Sequence, residues 1–142
     1  MTPASFFTSA DDLAAYTVNL YGVLTSIAPG SYGMSTFAYD NDTDNQAGTG
    51  YSSRWVPGNW KVGQSGGAWD FGNIRSVNYF LDQVLPKFEA KQISGAEAHV
   101  RHYIGEAYFL RAYLYLDKLQ SLGDFPIVLT ALPDDKETLV EA

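Results

Sequence analysis

The sequence predicts an all-α fold: a hairpin of two long helices, an amino-terminal helix ahead of it, and a long irregular aromatic loop between. Three observations lead there. From Ala107 to Leu116 only Arg111 is charged and no Pro interrupts, and the Ala and Leu content beside Glu106 favours helix. Two earlier stretches repeat apolar residues at steps of three and four. Start and stop residues flank these stretches.

The first helix is expected over 10–27. Ser9 caps it, Asp11 and Asp12 sit in its positive first turn, and Leu13, Tyr16, Leu20, Leu24 and Ile27 form one stripe before Ala28-Pro29-Gly30 ends it. Residues 29–68 have no sustained period. A connection of that length signals function or disorder, and its interleaved Tyr and Trp argue against disorder.

The second helix is expected over 70–90. Phe71, Ile74, Val77, Leu81, Val84 and Phe88 make its stripe, with Asn78 and Leu85 beside it. Pro86 lacks a donor and should kink or end it. The third helix is expected over 95–121. Ser94-Gly95-Ala96-Glu97 reads as its capping box, Glu97 and Arg101 stand at i,i+4, and Gly123 with Pro126 stops it. Since its centre is apolar on nearly every side, burial on nearly every side follows. Arg111 must then find an acid or carbonyl groups. Asp44, Asp70 and Asp124 are the acids to consider, with a buried structural ion pair as the favoured form.

Composition removes several classes of function. A net charge of −7 without a basic cluster argues against nucleic acid and anionic lipid as partners. With no Cys there is no disulfide, thiolate chemistry or Cys-bound zinc. No Gly-rich phosphate loop, Gly-x-Ser-x-Gly or His-Glu-x-x-His is present, so a non-catalytic protein without a cofactor is expected.

Three constellations carry some chemistry. Asp40, Asp42 and Asp44 have the one-three-five spacing of a calcium loop. Asn45 and Tyr51 stand where that loop needs Gly and Glu, so a hydrogen-bonded polar loop competes with calcium. His99, His102 and Glu106 share a narrow helix face that suits zinc or simple solvation. Tyr51, Trp55, Asn59 and Trp60 put flat rings and polar handles in the long loop, as a sugar-binding surface needs. The competing reading has these Trp anchoring the loop to the core.

Two blocks carry a family resemblance. Glu106-Ala107-Tyr108-Phe109-Leu110-Arg111-Ala112 with Gly123-Asp124-Phe125-Pro126-Ile127-Val128 is one, and Trp69-Asp70-Phe71-Gly72-Asn73-Ile74-Arg75-Ser76-Val77-Asn78-Tyr79-Phe80-Leu81 is the other. They resemble the amino-terminal third of the SusD/RagB family, outer-membrane nutrient-binding lipoproteins of gut-type bacteria. The resemblance covers most of 4–133, is strong over 69–128 and is loose between Asp40 and Lys61.

The resemblance implies a tetratricopeptide-like helical pair. It gives Glu106 a structural role, beside those expected of Arg111, Asn78 and Gly123, and it puts Asp44 where the family often carries an acid. It also implies an oligosaccharide or peptide ligand and a SusC-like TonB-dependent transporter as partner. The implied location is the cell surface, through a lipid anchor upstream of Met1. Met1-Thr2-Pro3-Ala4-Ser5 is no signal peptide, and Asp134 to Ala142 reads as the start of a further helix. The expectation is therefore an amino-terminal fragment of a larger α-helical protein. The alternative is a helical-repeat scaffold that binds a protein or peptide partner.

Overall fold

The computed structural model describes residues 6–24, 56–59, 61, 63, 64 and 66–132. They fall into two units, Met1–Val23 with Gly66–Ala142, and Leu24–Ser65. In the second unit a turn is described at 56–59, closed by the Asn59 N–H donating to the Val56 carbonyl at 3.0 Å. The first unit is all-α: α1 (Ala10–Leu20), α2 (Gly72–Glu89) and α3 (Glu97–Leu122), with short 3-10 turns at Tyr21–Val23 and Gly67–Trp69.

Helices α2 and α3 run antiparallel. Phe88 meets Arg101 near their connection, Asn78 meets Arg111 midway, and Ala68, just ahead of α2, meets Lys118 at the far end. α1 runs parallel to α3, since Ser9 pairs with Ser94 at one end and Tyr21 with Glu106 at the other. The core between them is Leu13, Thr17 and Leu20 of α1, Ile74, Val77, Phe80, Leu81 and Val84 of α2, and Val100, Ile104, Ala107, Leu110 and Leu114 of α3.

The start of α1 forms as its residues demand. Ser9 accepts from the Asp12 N–H while Asp12 accepts from the backbone of Thr8 and Ser9, a reciprocal capping box. The Thr8 backbone N–H, with further hydrogen bonds from Thr8 and Ser9, holds the Asp12 carboxyl below its ordinary value; its partial desolvation opposes this. The end of α1 differs from expectation. Regular helix stops at Leu20 and tightens into the 3-10 turn, where Gly22 is a weak helix former. Residues 25–27 lie outside the described residues.

Pro86 does not end α2 at once. It is exposed and one turn from the end, so the helix loses a single late donor and continues to Glu89. The Ser94 capping box of α3 does not form. Helix starts at Glu97, behind Ala96 without a side-chain cap. Ser94 is engaged elsewhere: its N–H and hydroxyl donate to the Thr8 carbonyl at 2.8 and 3.1 Å, and its own carbonyl accepts from Ala10. Glu97 pairs with Arg101 at 2.6 Å, as expected. Gly123 ends α3 with φ 82 and donates its N–H to Leu119.

The expectation that α3 is buried on nearly every side is overturned. Val100, Ile104, Ala107, Leu110 and Leu114 are buried, whereas Tyr108, Phe109, Leu116 and Leu119 are exposed. A helix laid over a two-helix base has neighbours on one side only. Apolar sequence alone does not supply a second layer.

Residues 6–9 clasp the α2–α3 connection. Phe7 is buried and meets Phe80 and Tyr16 edge-on at 5.5 and 5.2 Å, and the Lys87 ammonium donates to the Phe6 carbonyl at 2.6 Å. Gly95 lies where this clasp crosses the connection. Its φ is 107, and a Cβ there would sit 2.9 Å from the Ala10 Cβ. Gly95→Ala is expected to cost roughly 1–3 kcal/mol through strain and collision. Chemical denaturation of the two proteins measures it.

Candidate functional site

The densest polar constellation sits on the outer side of the α2–α3 pair, where it holds the extended segment 125–132. Arg75, Asn78 and Asp82 lie at i, i+3 and i+7 along one face of α2, and Arg111 and Tyr115 lie at i and i+4 on α3. Together they bond the backbone of the segment. Tyr115 donates its hydroxyl to the Val128 carbonyl at 2.8 Å and accepts the Val128 N–H at 2.7 Å. Asn78 donates to the carbonyls of Val128 and Thr130 at 2.8 and 3.2 Å. Asp82 accepts the Ala131 N–H at 2.7 Å, and Arg75 donates to the Leu132 carbonyl at 3.3 Å.

Asn78 is the centre of this clip and is fully buried. Its Oδ1 accepts from the Arg111 guanidinium at 3.2 Å, which also donates to the Leu129 carbonyl at 3.2 Å. The expected acid partner of Arg111 is therefore replaced by an amide and a carbonyl. Among the described residues no acid pairs with it: Asp70 caps the Gly72 N–H at 2.9 Å, Asp124 is exposed, and Asp44 lies outside the described residues. The half-buried position of Arg111, with its guanidinium 5.1 Å from the Tyr108 ring centre, explains why a full counter-charge is not required.

Below the clip an aromatic stack anchors the turn after α3. Phe125 stacks on Phe71 at 4.7 Å and on Trp69 at 5.6 Å, with Tyr115 edge-on at 6.2 Å. The Lys118 ammonium lies 5.8 Å from the Phe125 ring and donates to the Ala68 carbonyl at 2.7 Å.

A second cluster joins the end of α1 to α3. Glu106 accepts from the Tyr21 hydroxyl at 2.7 Å and pairs with His102 at 2.8 Å. The hydrogen bond to the Glu106 carboxylate raises the Tyr21 phenol above its ordinary value. Glu106 thus ties the end of α1 to α3. The zinc face of His99, His102 and Glu106 does not assemble: no group of three or more metal-binding side chains occurs among the described residues.

Other candidate residues are placed only in part. Asn59 is exposed at the end of the 56–59 turn, where Gly58 has φ 84. Tyr51, Trp55, Trp60 and the calcium candidates Asp40, Asp42 and Asp44 lie outside the described residues. A concavity of about 350 Å³ opens at the α2–α3 connection beside Phe88, Lys91, Ile93 and Arg101. Arg101 covers the Phe88 ring at 5.1 Å while paired with Glu97, which takes up one ring face that a sugar would need. No described helix is long and apolar enough to cross a membrane.

Sequence reasoning missed Arg75, Asp82 and Tyr115 as members of the clip. The signal for the first two was a polar i, i+3, i+7 row, with Asn78 between them, beside an otherwise apolar helix face. No protein-family model, curated protein or solved structure matches this chain.

Proposed function

We propose that this chain is the amino-terminal part of a non-catalytic, surface-exposed outer-membrane nutrient-binding protein of the SusD/RagB kind. It takes up an oligosaccharide, or a peptide, by stacking and hydrogen bonding and hands it to a SusC-like TonB-dependent transporter. It needs no cofactor. One observation carries the reading: the two blocks that resemble the family meet in space. Asn78 of the first block bonds Arg111 and Val128 of the second, and Phe71 of the first stacks on Phe125 of the second. Residues that recur together in a family for structural reasons are expected to touch in this way.

The loop aromatics Tyr51, Trp55 and Trp60, with Asn59, are assigned to the ligand. Calorimetry over a panel of glycans and peptides tests this. Binding of one class is expected, and Trp60→Ala should weaken it roughly tenfold or more with the melting temperature nearly unchanged. No binding by any member of the panel sinks the reading. Lost stability in place of lost affinity assigns Trp60 to the core.

A second reading, a helical scaffold for a protein partner, is favoured by the exposed apolar row on α3.

A further inference from the structure

We propose that the concavity at the α2–α3 connection binds a free apolar α-amino acid as its zwitterion. The hollow measures about 350 Å³, within the range of small-molecule sites, ~300–1,000 Å³. Its floor is apolar, from Phe88, Ile93 and Val100, of which Val100 is buried and the other two are half-buried. Its rim is charged, from Glu89, Lys91, Glu97 and Arg101, all exposed. These groups converge because α2 ends at Glu89, α3 begins at Glu97, and the short connection doubles back between them.

Two of the four rim charges cancel. Arg101 pairs with Glu97 at 2.6 Å and lies over the Phe88 ring. Glu89 and Lys91 are different. Among the described residues neither makes an ion pair or a side-chain hydrogen bond, with the other or with any neighbour. One free carboxylate and one free ammonium therefore border an apolar hollow, two positions apart in the chain. An apolar side chain carrying an adjacent ammonium and carboxylate satisfies all three features. A neutral sugar brings neither charge. A helix or loop laid over this rim would bury both unpaired charges, which is costly. A small zwitterion pairs with both and leaves their outer sides in water.

The backbone at Lys91 is a second, independent observation. α2 closes with the Lys91 N–H donating to the Phe88 carbonyl at 3.0 Å and the Gln92 N–H donating to the Lys87 carbonyl at 2.9 Å. Glycine usually fills the left-handed position of that closure. Here Lys91 holds it, at φ 56, whereas α3 ends on a glycine, Gly123, at φ 82. Strain of this kind collects where a side chain must be presented to a ligand. A strained, unpaired lysine on the lip of the hollow fits that role.

The proposal is independent of the glycan and scaffold readings, because neither the loop aromatics nor the exposed row on α3 takes part. The test titrates L-leucine into the full chain and follows the NMR shifts of the Ile93 and Val100 methyl groups. Saturation at roughly millimolar leucine is expected for a ligand of this size. N-acetyl-leucine lacks the ammonium and leucinamide lacks the carboxylate, and each should bind about tenfold more weakly or worse. Lys91→Gly should raise the melting temperature by relieving the backbone, yet weaken leucine binding about tenfold or more. Glu89→Gln should weaken binding similarly with the melting temperature nearly unchanged. Failure of leucine to saturate these shifts overturns the proposal. So does binding that is equal for leucine and its two derivatives, or that survives Lys91→Gly intact.

Discussion

Phe7→Ala is expected to destabilise the first unit by roughly 3–5 kcal/mol, the range for deleting a buried aromatic ring. Phe7 precedes the first helix and belongs to no regular element, yet it is only 1% exposed. Its ring packs edge-on against both Phe80 and Tyr16, which stack on each other at 5.4 Å, and it lies 6.3 Å from Tyr79. Its backbone is held at φ 63, an unfavourable conformation for a residue with a β-carbon. The chain adopts that conformation because the buried ring offsets it. Removing the ring leaves a cavity and no reason for the turn, so the Ser9–Ser94 pairing should loosen with it. Denaturant unfolding gives the magnitude, and hydrogen exchange at Ala10 and Ser94 reads the loosening. A loss under about 1 kcal/mol would show that the site collapses without penalty.

The second large effect is expected at Asn78. Asn78→Leu keeps the volume and removes three hydrogen bonds at a fully buried position. Leucine leaves the Thr130 carbonyl without this donor and Arg111 with only the Leu129 carbonyl among its described polar partners, while Val128 retains Tyr115. With about 1–3 kcal/mol for each polar group left unsatisfied, the cost is roughly 2–4 kcal/mol. The damage is expected to be local. Proteolysis should cut after α3 in the variant while the α2–α3 pair stays protected. A variant as resistant as the parent would mean that Tyr115, Asp82 and Arg75 suffice to hold the segment.

The helices were legible because their signals are local. Ser9 with Asp12, the stripe from Ile74 to Val84, and Gly123 each act within a turn or two of chain, and each works as read. Misreadings arose where a distant residue competed. Ser94 caps nothing because Thr8 reaches it first, and Arg111 takes no acid because Asn78 and the Leu129 carbonyl are nearer. Which face of α3 is covered depends on where α1 and α2 lie, which no periodicity within α3 encodes. Of the candidate ligand residues, only Asn59 falls among those described, and it is exposed.

The clip on 125–132 grips main-chain atoms and leaves Ile127, Leu129 and Thr130 facing water. A β-sheet would hold such a segment by backbone pairing and would restrict which side chains fit beside their cross-strand neighbours. Here the holding groups belong to the helices, so anchorage and spelling are uncoupled. Substitutions at 127, 129 and 130 leave the grip intact, whereas proline is barred at 128 and 131, where an N–H is needed. The outward side chains of the stretch can therefore be exchanged, by mutation or by grafting, without altering the bonds that mount its backbone on the helices.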